Sequence, residues 1–192
     1  MINEILYRDA RREEAFDIAS LYQLSGGGVA DYIWSLMKDE YPGRSLLEIG
    51  AERYARINTE FSYQNCLLAD FRGEIIGMVH SYPMTEKSPP CENPVLAPYC
   101  ALEAVGSLYI SGIALYPNYR GQGIGTIMMK QINERAKNLG LKQLSLLAFE
   151  QNLDAIRLYE RLGFEITDRL TVVTHPLIQY TGDVVLMVAD VE

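Results

Sequence analysis

The sequence predicts a mixed α/β fold, on the strength of three observations. An apolar run, Ser107 to Leu115, passes through a glycine-rich turn into the helical pattern Gly123 to Asn138, and a second run, Gln143 to Ala148, leads to a helix at Leu153 to Leu162. Outside this β-α-β-α centre the segments pair as hairpins: Cys66 to Asp70 with Ile75 to Ser81 about the turn Arg72-Gly73-Glu74, and Glu165 to Thr174 with Asp183 to Val188. At 192 residues the chain suits one domain, 1–192, with a sizeable core. Strands that alternate with helices in the middle and pair as hairpins at the ends imply a mixed, mostly antiparallel sheet. It should have about six or seven strands around a short parallel centre, flanked by helices, and is α/β or α+β by convention.

Each element has its own justification. Glu4 to Arg8 reads as a strand and Arg11 to Leu24 as a helix, stopped by Gly26-Gly27-Gly28. Val29 to Lys38 and Leu46 to Ile57 carry helical spacing on either side of Tyr41-Pro42-Gly43. Pro83 to Ala104 is proline-rich and longer than an ordinary connection, which marks it as a functional or packing insertion. Gly140 and Gly163 stop the two central helices. There is no repeat and no low-complexity segment.

The segment Pro117-Asn118-Tyr119-Arg120-Gly121-Gln122-Gly123-Ile124-Gly125-Thr126 joins a buried strand to the start of an amphipathic helix. Glycine lets backbone N–H groups approach a ligand closely, and the positive end of the helix macrodipole favours an anion there, so phosphate is the natural guest. A Walker loop is excluded because no lysine follows the last glycine. A dinucleotide turn is excluded too: the spacing is G-x-G-x-G, and Lys142-Gln143-Leu144-Ser145 supplies no carboxylate. What remains is R-x-x-G-x-G, read as Arg120, Gly123 and Gly125.

That pattern resembles the acyl-CoA-binding motif of the GNAT superfamily of N-acetyltransferases. Further on, Asn152 to Phe164 resembles the second signature of that superfamily, N-x-x-A-x-x-x-Y-x-x-x-G-F. Tyr7-Arg8-Asp9-Ala10 and Leu67 to Val79 are similar to its opening strand and its second and third strands. The resemblance implies a GNAT-like sheet in which the strands Ser107 to Leu115 and Gln143 to Ala148 splay apart at the cofactor site. Acetyl-CoA would be the cosubstrate, its pantetheine arm bonded along Ile113, Ala114 and Leu115 and its pyrophosphate held by Arg120, Gly121, Gln122, Gly123, Ile124, Gly125 and Thr126. Asn152 would cap its helix or reach the cofactor arm, with Ala155 beside it. Tyr159 would be the catalytic residue, its phenol protonating the departing thiolate.

One departure concerns the base. Many members carry a glutamate on the strand before the phosphate loop, where this chain has Tyr109, and no carboxylate lies between Gly106 and Leu115. Water relayed to Glu150, Glu103 or His80 is one route for the proton, and an amine that arrives neutral is another. No base is assigned.

Composition narrows the partners. With 17 Lys and Arg against 25 Asp and Glu, the formal charge of −8 argues against a general DNA or RNA binder and suits a cationic amine. No run of about eighteen apolar residues and no signal-peptide pattern occurs, which predicts a cytoplasmic protein with no membrane partner. Cys66, Cys91 and Cys100 lack the spacing of a disulfide framework or a zinc site, so reduced thiols and no metal are expected, with Cys66 in the core. The acceptor would be an amine-bearing small molecule or peptide, and a homodimer is compatible with the sequence. Tyr32, Trp34, Tyr41, Tyr82, Tyr99 and Tyr180 are candidates to line its cleft, although packing is the commoner use of such residues. The alternative function is a non-catalytic acyl-CoA-binding or regulatory module of the same fold.

Overall fold

A computed structural model describes residues 4–191, in which seven strands form one sheet of order β1-β2-β3-β4-β5-β7-β6. The strands are β1 (Ile5–Asp9), β2 (Cys66–Phe71), β3 (Glu74–Pro83), β4 (Ser107–Leu115), β5 (Gln143–Phe149), β6 (Glu165–Thr171) and β7 (Asp183–Asp190). The pairs β1–β2, β2–β3, β5–β7 and β6–β7 are antiparallel, and β4–β5 is parallel, as the central β-α-β-α pattern requires. Parallel pairing covers only Ser107 to Ile110 against Gln143 to Leu146, although β4 continues to Leu115 and β5 to Phe149. The chain folds as two compact units, residues 1–81 with 112–130, and residues 82–111 with 131–192.

In the first unit, α1 (Ala15–Ser25), α2 (Val29–Leu36) and α3 (Leu46–Tyr54) bury Ile18, Leu21, Trp34 and Ile49 with Leu68, Met78 and Ala114 of the strands. Gly27 and Gly28 have φ of 54° and 94°, so the break between α1 and α2 uses backbone that other residues adopt at a cost. A Cβ on Gly50 would stand 2.6 Å from the Trp34 ring, so glycine in the middle of α3 is what admits the indole. Trp34 is 1% exposed and packs within this core, and Tyr32 is 7% exposed. The Tyr41 hydroxyl accepts a hydrogen bond from Arg56 at 2.8 Å.

The two largest departures from the expected helix boundaries lie at the start of α1 and the end of α3. The stretch expected to start a helix at Arg11 opens as a 3-10 turn, Arg12–Glu14, before α1 begins at Ala15. The cause is Glu14, whose carboxylate accepts the Arg11 backbone N–H at 2.7 Å and both terminal nitrogens of Arg8 at 3.0 and 2.6 Å, tightening the first turn. At the other boundary, α3 ends at Tyr54 rather than Ile57, and Asn58 at φ 57° reverses the chain. The start of α3 is fixed by a capping box in which Ser45 Oγ accepts from the Glu48 N–H and Glu48 accepts from the Ser45 N–H.

The second unit is built on β5, β7 and β6, with Leu102, Val172, Val184 and Leu186 at its core. The proline-rich insertion is not an open loop there. Asn93 Oδ1 accepts the backbone N–H groups of Val95 and Leu96 at 3.0 and 3.2 Å, which starts a turn leading into the short helix α4 (Ala97–Ala101). Helix α5 (Ile124–Asn138) follows β4, and α6 (Leu153–Arg161) follows β5. β6 stops at Thr171 rather than Thr174, while β7 runs two residues past Val188.

Candidate functional site

The glycine turn lies wholly within the first unit, between β4 and α5. Pro117 starts a 3-10 turn, Pro117–Tyr119, because its fixed φ suits a first helical position. Gly121 and Gly123 then take φ of 72° and 79°, and no atom lies within 4 Å of where a Cβ would sit on either. The carbonyl of Gly123 accepts the first helical hydrogen bond, from Ile127 at 3.1 Å. The N–H groups of Ile124, Gly125 and Thr126 therefore precede the first intrahelical donor and point out of the helix start. Open space, backbone donors and the positive end of a fifteen-residue helix coincide there.

Several contacts hold this turn in place. Arg120 Nε donates to the Leu115 carbonyl at 2.9 Å, tying the turn to the end of β4, a role the spacing alone did not reveal. Gln122 donates to the Asn118 carbonyl at 3.0 Å. The Tyr119 hydroxyl donates to Glu74 at 3.3 Å, and its ring lies 6.3 Å from that of Phe71. Along β4, Ala114 is buried in the core while Ile113 and Leu115 occupy the other face and are half-buried. Gly77 permits the close approach of β3, since a Cβ on it would lie 2.9 Å from the Ala114 carbonyl and collide with the Leu115 side chain. The strand segment Ile113, Ala114, Leu115 thus leads through Pro117–Tyr119 to the turn Arg120 to Thr126, and the Arg120 bond to the Leu115 carbonyl ties the two together.

Asn152, Ala155 and Tyr159 belong to the second unit. Asn152 caps α6, its Oδ1 accepting the Ala155 N–H at 3.3 Å and its carbonyl the Ile156 N–H at 3.0 Å. Three residues and one turn later, Tyr159 packs edge-on to Phe164 with ring centroids 5.9 Å apart. Gly163, at φ 86°, allows the reversal that brings Phe164 back under the helix, and the Phe164 N–H bonds the Tyr159 carbonyl at 3.0 Å. Burial pushes the Tyr159 phenol up to about 12, so its proton stays on oxygen at neutral pH.

The groups considered as bases are all engaged. His80 is fully buried, stacked on Phe61 with centroids 5.3 Å apart and edge-on to Tyr54 at 5.5 Å. Its Nε2 lies 3.0 Å from the Glu60 carbonyl. A carbonyl only accepts, so that nitrogen carries the proton and is no base. Glu150 pairs with Arg169 at 2.9 Å, and Glu103 accepts the Ser88 N–H at 3.2 and 3.1 Å. Tyr109, in place of a carboxylate, lies edge-on to Tyr82 with centroids 5.5 Å apart. Among the described residues no group of three or more His, Cys, Asp or Glu is gathered as a metal site, and no helix is long and apolar enough to cross a membrane.

An aromatic cluster in the second unit escaped sequence reasoning as a unit. Phe149, at the end of β5, stacks on Tyr180 at 4.6 Å and meets Tyr99 of α4 edge-on at 6.0 Å. The Tyr99 hydroxyl is buried without a hydrogen-bond partner, and burial raises it to about 12. Tyr99 and Tyr180 were individually candidates, but their meeting through Phe149 joins segments far apart in sequence and carries no local signal.

Comparison with known proteins agrees with the geometry. Residues 30–164 match the profile described as the Acetyltransferase (GNAT) family. The mouse thialysine N-epsilon-acetyltransferase is 42% identical over 57 residues, 30% of this chain and 34% of that enzyme. The chain spans only about a third to two-fifths of the length of the curated relatives it matches. Among solved structures, an N-acetyltransferase from Staphylococcus aureus Mu50 superposes with a TM-score of 0.65 at 21% identity, covering 96% of this chain and 100% of that one. The PaiA N-acetyltransferase from Thermoplasma acidophilum, in complex with coenzyme A, gives 0.57 at 14% identity, covering 97% and 98%. Both structural likenesses concern the fold alone. A family profile spanning well over half the chain, together with the braced glycine turn, settles membership: the chain belongs to the GNAT family of acetyltransferases.

Proposed function

We propose that this protein moves an acetyl group from acetyl-CoA to the amine of a small molecule or peptide by direct attack. The observation that carries the reading is the turn Arg120 to Thr126, where two glycines at positive φ leave open space before the outward-pointing amides of a long helix. Those residues fit a diphosphate, because each bulkier side chain at Gly121 or Gly123 would occupy the space its oxygens need. Ile113, Ala114 and Leu115 would bond the pantetheine arm through their backbone, as an added strand would. That β4 continues past the last residue paired with β5 supports this assignment.

When bound, the cosubstrate supplies an activated thioester. The protein's own groups then have three tasks: to orient the carbonyl, to admit a neutral amine, and to place a donor by the sulfur. As the C–N bond forms and the C–S bond breaks, the nitrogen loses a proton and the sulfur gains one. Tyr159 is the proposed donor. Its phenol, at about 12, is a weaker acid than a thiol near roughly 8.5, so its main effect is a charge-assisted hydrogen bond to the leaving thiolate, with the net proton coming from the amine. With His80, Glu150 and Glu103 engaged, the amine sheds that proton to water.

The relative that acetylates thialysine, together with a charge of −8, favours a cationic acceptor. Thiol release from acetyl-CoA, measured against polyamines, lysine analogues, aminoglycosides, amino acids and peptide N-termini, tests the proposal. Amine-dependent release supports it. Tight coenzyme A binding without release by any amine overturns it and favours the non-catalytic module, for which Tyr109 in place of a carboxylate is the motivating observation.

A further inference from the structure

Three rings of the second unit carry a specificity that the transfer reaction itself does not require. Phe149 ends β5, Tyr99 stands on α4, and Tyr180 lies in the connection between β6 and β7, so three separate segments bring them together. Phe149 and Tyr180 stack at 4.6 Å with planes 24° apart, and Tyr99 meets Phe149 edge-on at 6.0 Å. Each ring is partly exposed, and Tyr99 and Phe149 rest on Leu102, Val172, Val184 and Leu186. The connection that presents Tyr180 is fixed to the loop before α6. The Gln151 side chain accepts the Thr181 N–H and donates to the Thr181 hydroxyl, both at 3.3 Å. Sheet register puts the rings on the face of Tyr109, which occupies the position of the glutamate carried by many members of the family. Tyr109 stands opposite Ser145 in the parallel pair, so Ser145, Leu147 and Phe149, two apart along β5, share its face. Asn152, which caps the helix of Tyr159, follows Phe149 by three residues.

We propose, resting on the transferase reading, that Tyr99, Phe149 and Tyr180 recognise a second, protonated nitrogen of the acceptor, so that the substrate class is a diamine or polyamine acetylated at its other nitrogen. The chemistry separates the two nitrogens. The reacting amine must be neutral to attack, whereas the negative faces of aromatic rings favour a cation and help it keep its proton. A nitrogen seated on the rings is therefore not the one acetylated. The nearest carboxylates along the chain are committed elsewhere: Glu150 pairs with Arg169 at 2.9 Å, and Asp183 accepts from the Thr171 hydroxyl at 2.7 Å. A purely apolar guest would leave one group unserved. The Tyr99 hydroxyl is buried with no hydrogen-bond partner, which is costly in a folded protein. Burial keeps it protonated, and its oxygen still accepts, so an ammonium N–H entering the cluster meets ring faces and an acceptor together. The formal charge of −8 adds a general attraction for a guest with two positive charges.

Two assays on the whole chain test this: calorimetry with the protein loaded with coenzyme A, and thiol release from acetyl-CoA. The probes are putrescine, cadaverine and spermidine, the matching monoamines n-butylamine and n-pentylamine, and phenethylamine. The expected result is a preference for a diamine over its monoamine in both assays. Tyr180→Leu and Phe149→Leu should each cut that preference by about 3- to 30-fold with coenzyme A affinity unchanged, and Tyr180→Phe, which keeps the ring, should retain it. Tyr99→Phe should bind the diamine about 10-fold more weakly yet melt no lower than wild type, because it loses the acceptor and the unpartnered hydroxyl together. A residue that only packs would move the melting temperature and leave the preference alone. The two readings fail separately: diamine binding that Tyr180→Leu weakens, without thiol release by any amine, removes the transferase and supports the recognition site. Absence of diamine binding, equal binding of diamines and monoamines, a stronger preference for phenethylamine, or a preference that survives Tyr180→Leu in a folded protein overturns the proposal. Wild-type affinity in Tyr99→Phe overturns the role of its hydroxyl.

Discussion

Replacing Gly123 by asparagine separates phosphate recognition from backbone strain, because the structure provides a matched comparison in the same unit. Gly123 has φ +79° and Gly43 has φ +80°, and neither has an atom within 4 Å of the Cβ position. Asparagine enters the left-handed region more readily than other residues with a side chain, at a cost of about 1 kcal/mol relative to glycine. For a chain of this size that corresponds to a fall of about 2–4 °C in Tm, and it should be the same in both variants. Only at Gly123 does the new side chain stand before the amides that open α5. Losing one charge-assisted hydrogen bond there costs about 1.5–3 kcal/mol, a weakening of about 10- to 150-fold in Kd. Calorimetry with coenzyme A and thermal melts of Gly123→Asn and Gly43→Asn make the comparison. Wild-type affinity in a folded Gly123→Asn refutes the phosphate assignment, and an equal loss in Gly43→Asn shows the effect to be global.

Other predictions concern the chemistry and the fold. Tyr159→Phe should lower kcat by about 10²-fold with little change in coenzyme A affinity, since it removes one donor and no packing; kinetics with an identified amine check this, and a wild-type rate returns Tyr159 to a packing role. Without a dedicated base, kcat/KM should climb with pH toward the pKa of each acceptor, so two amines differing by a unit or more should give displaced profiles; one shared inflection would reveal a protein group. Burial alone would raise the Glu14 carboxyl, but hydrogen bonds from the Arg8 and Arg11 side chains and the Arg11 N–H outweigh it and hold it at about 2, against 4.5 unperturbed. The unfolded chain binds the extra proton in that window, so this stabilisation is fully present above about pH 4.5 and is lost as pH falls toward 2. Its size is at most about 3 kcal/mol, and denaturant melts across that window should show a shallower acid slope in Glu14→Gln than in wild type.

Local chemistry was legible in the sequence, and meetings between distant segments were not. The turn at Gly121 and Gly123 could be read because positive φ and bare backbone are properties of glycine itself. The parallel pairing of β4 with β5 followed from the alternation of short apolar runs with helical spacing. Arg120 was placed at the turn, but its bond to the Leu115 carbonyl depends on where the chain folds back and could not be foreseen. The early 3-10 turn before α1 escaped notice because Glu14 is drawn to Arg8, six residues away on β1. For Trp34 the sequence left both cleft lining and packing open, because Gly50, the gap that holds its ring, lies sixteen residues on. Helix α4 was hidden for a similar reason: its five residues are too few to show a period, and its start depends on Asn93.

The measurement that tests the central claim most directly follows acetyl-CoA labelled with carbon-13 at the acetyl carbonyl, mixed with the protein and a cationic amine and observed by NMR. Direct transfer predicts that the thioester signal falls as an amide signal on the acceptor rises in equal amount, with no label retained on the protein. Label retained on the protein contradicts direct attack, and a thioester signal that persists while coenzyme A is bound contradicts the transferase assignment itself.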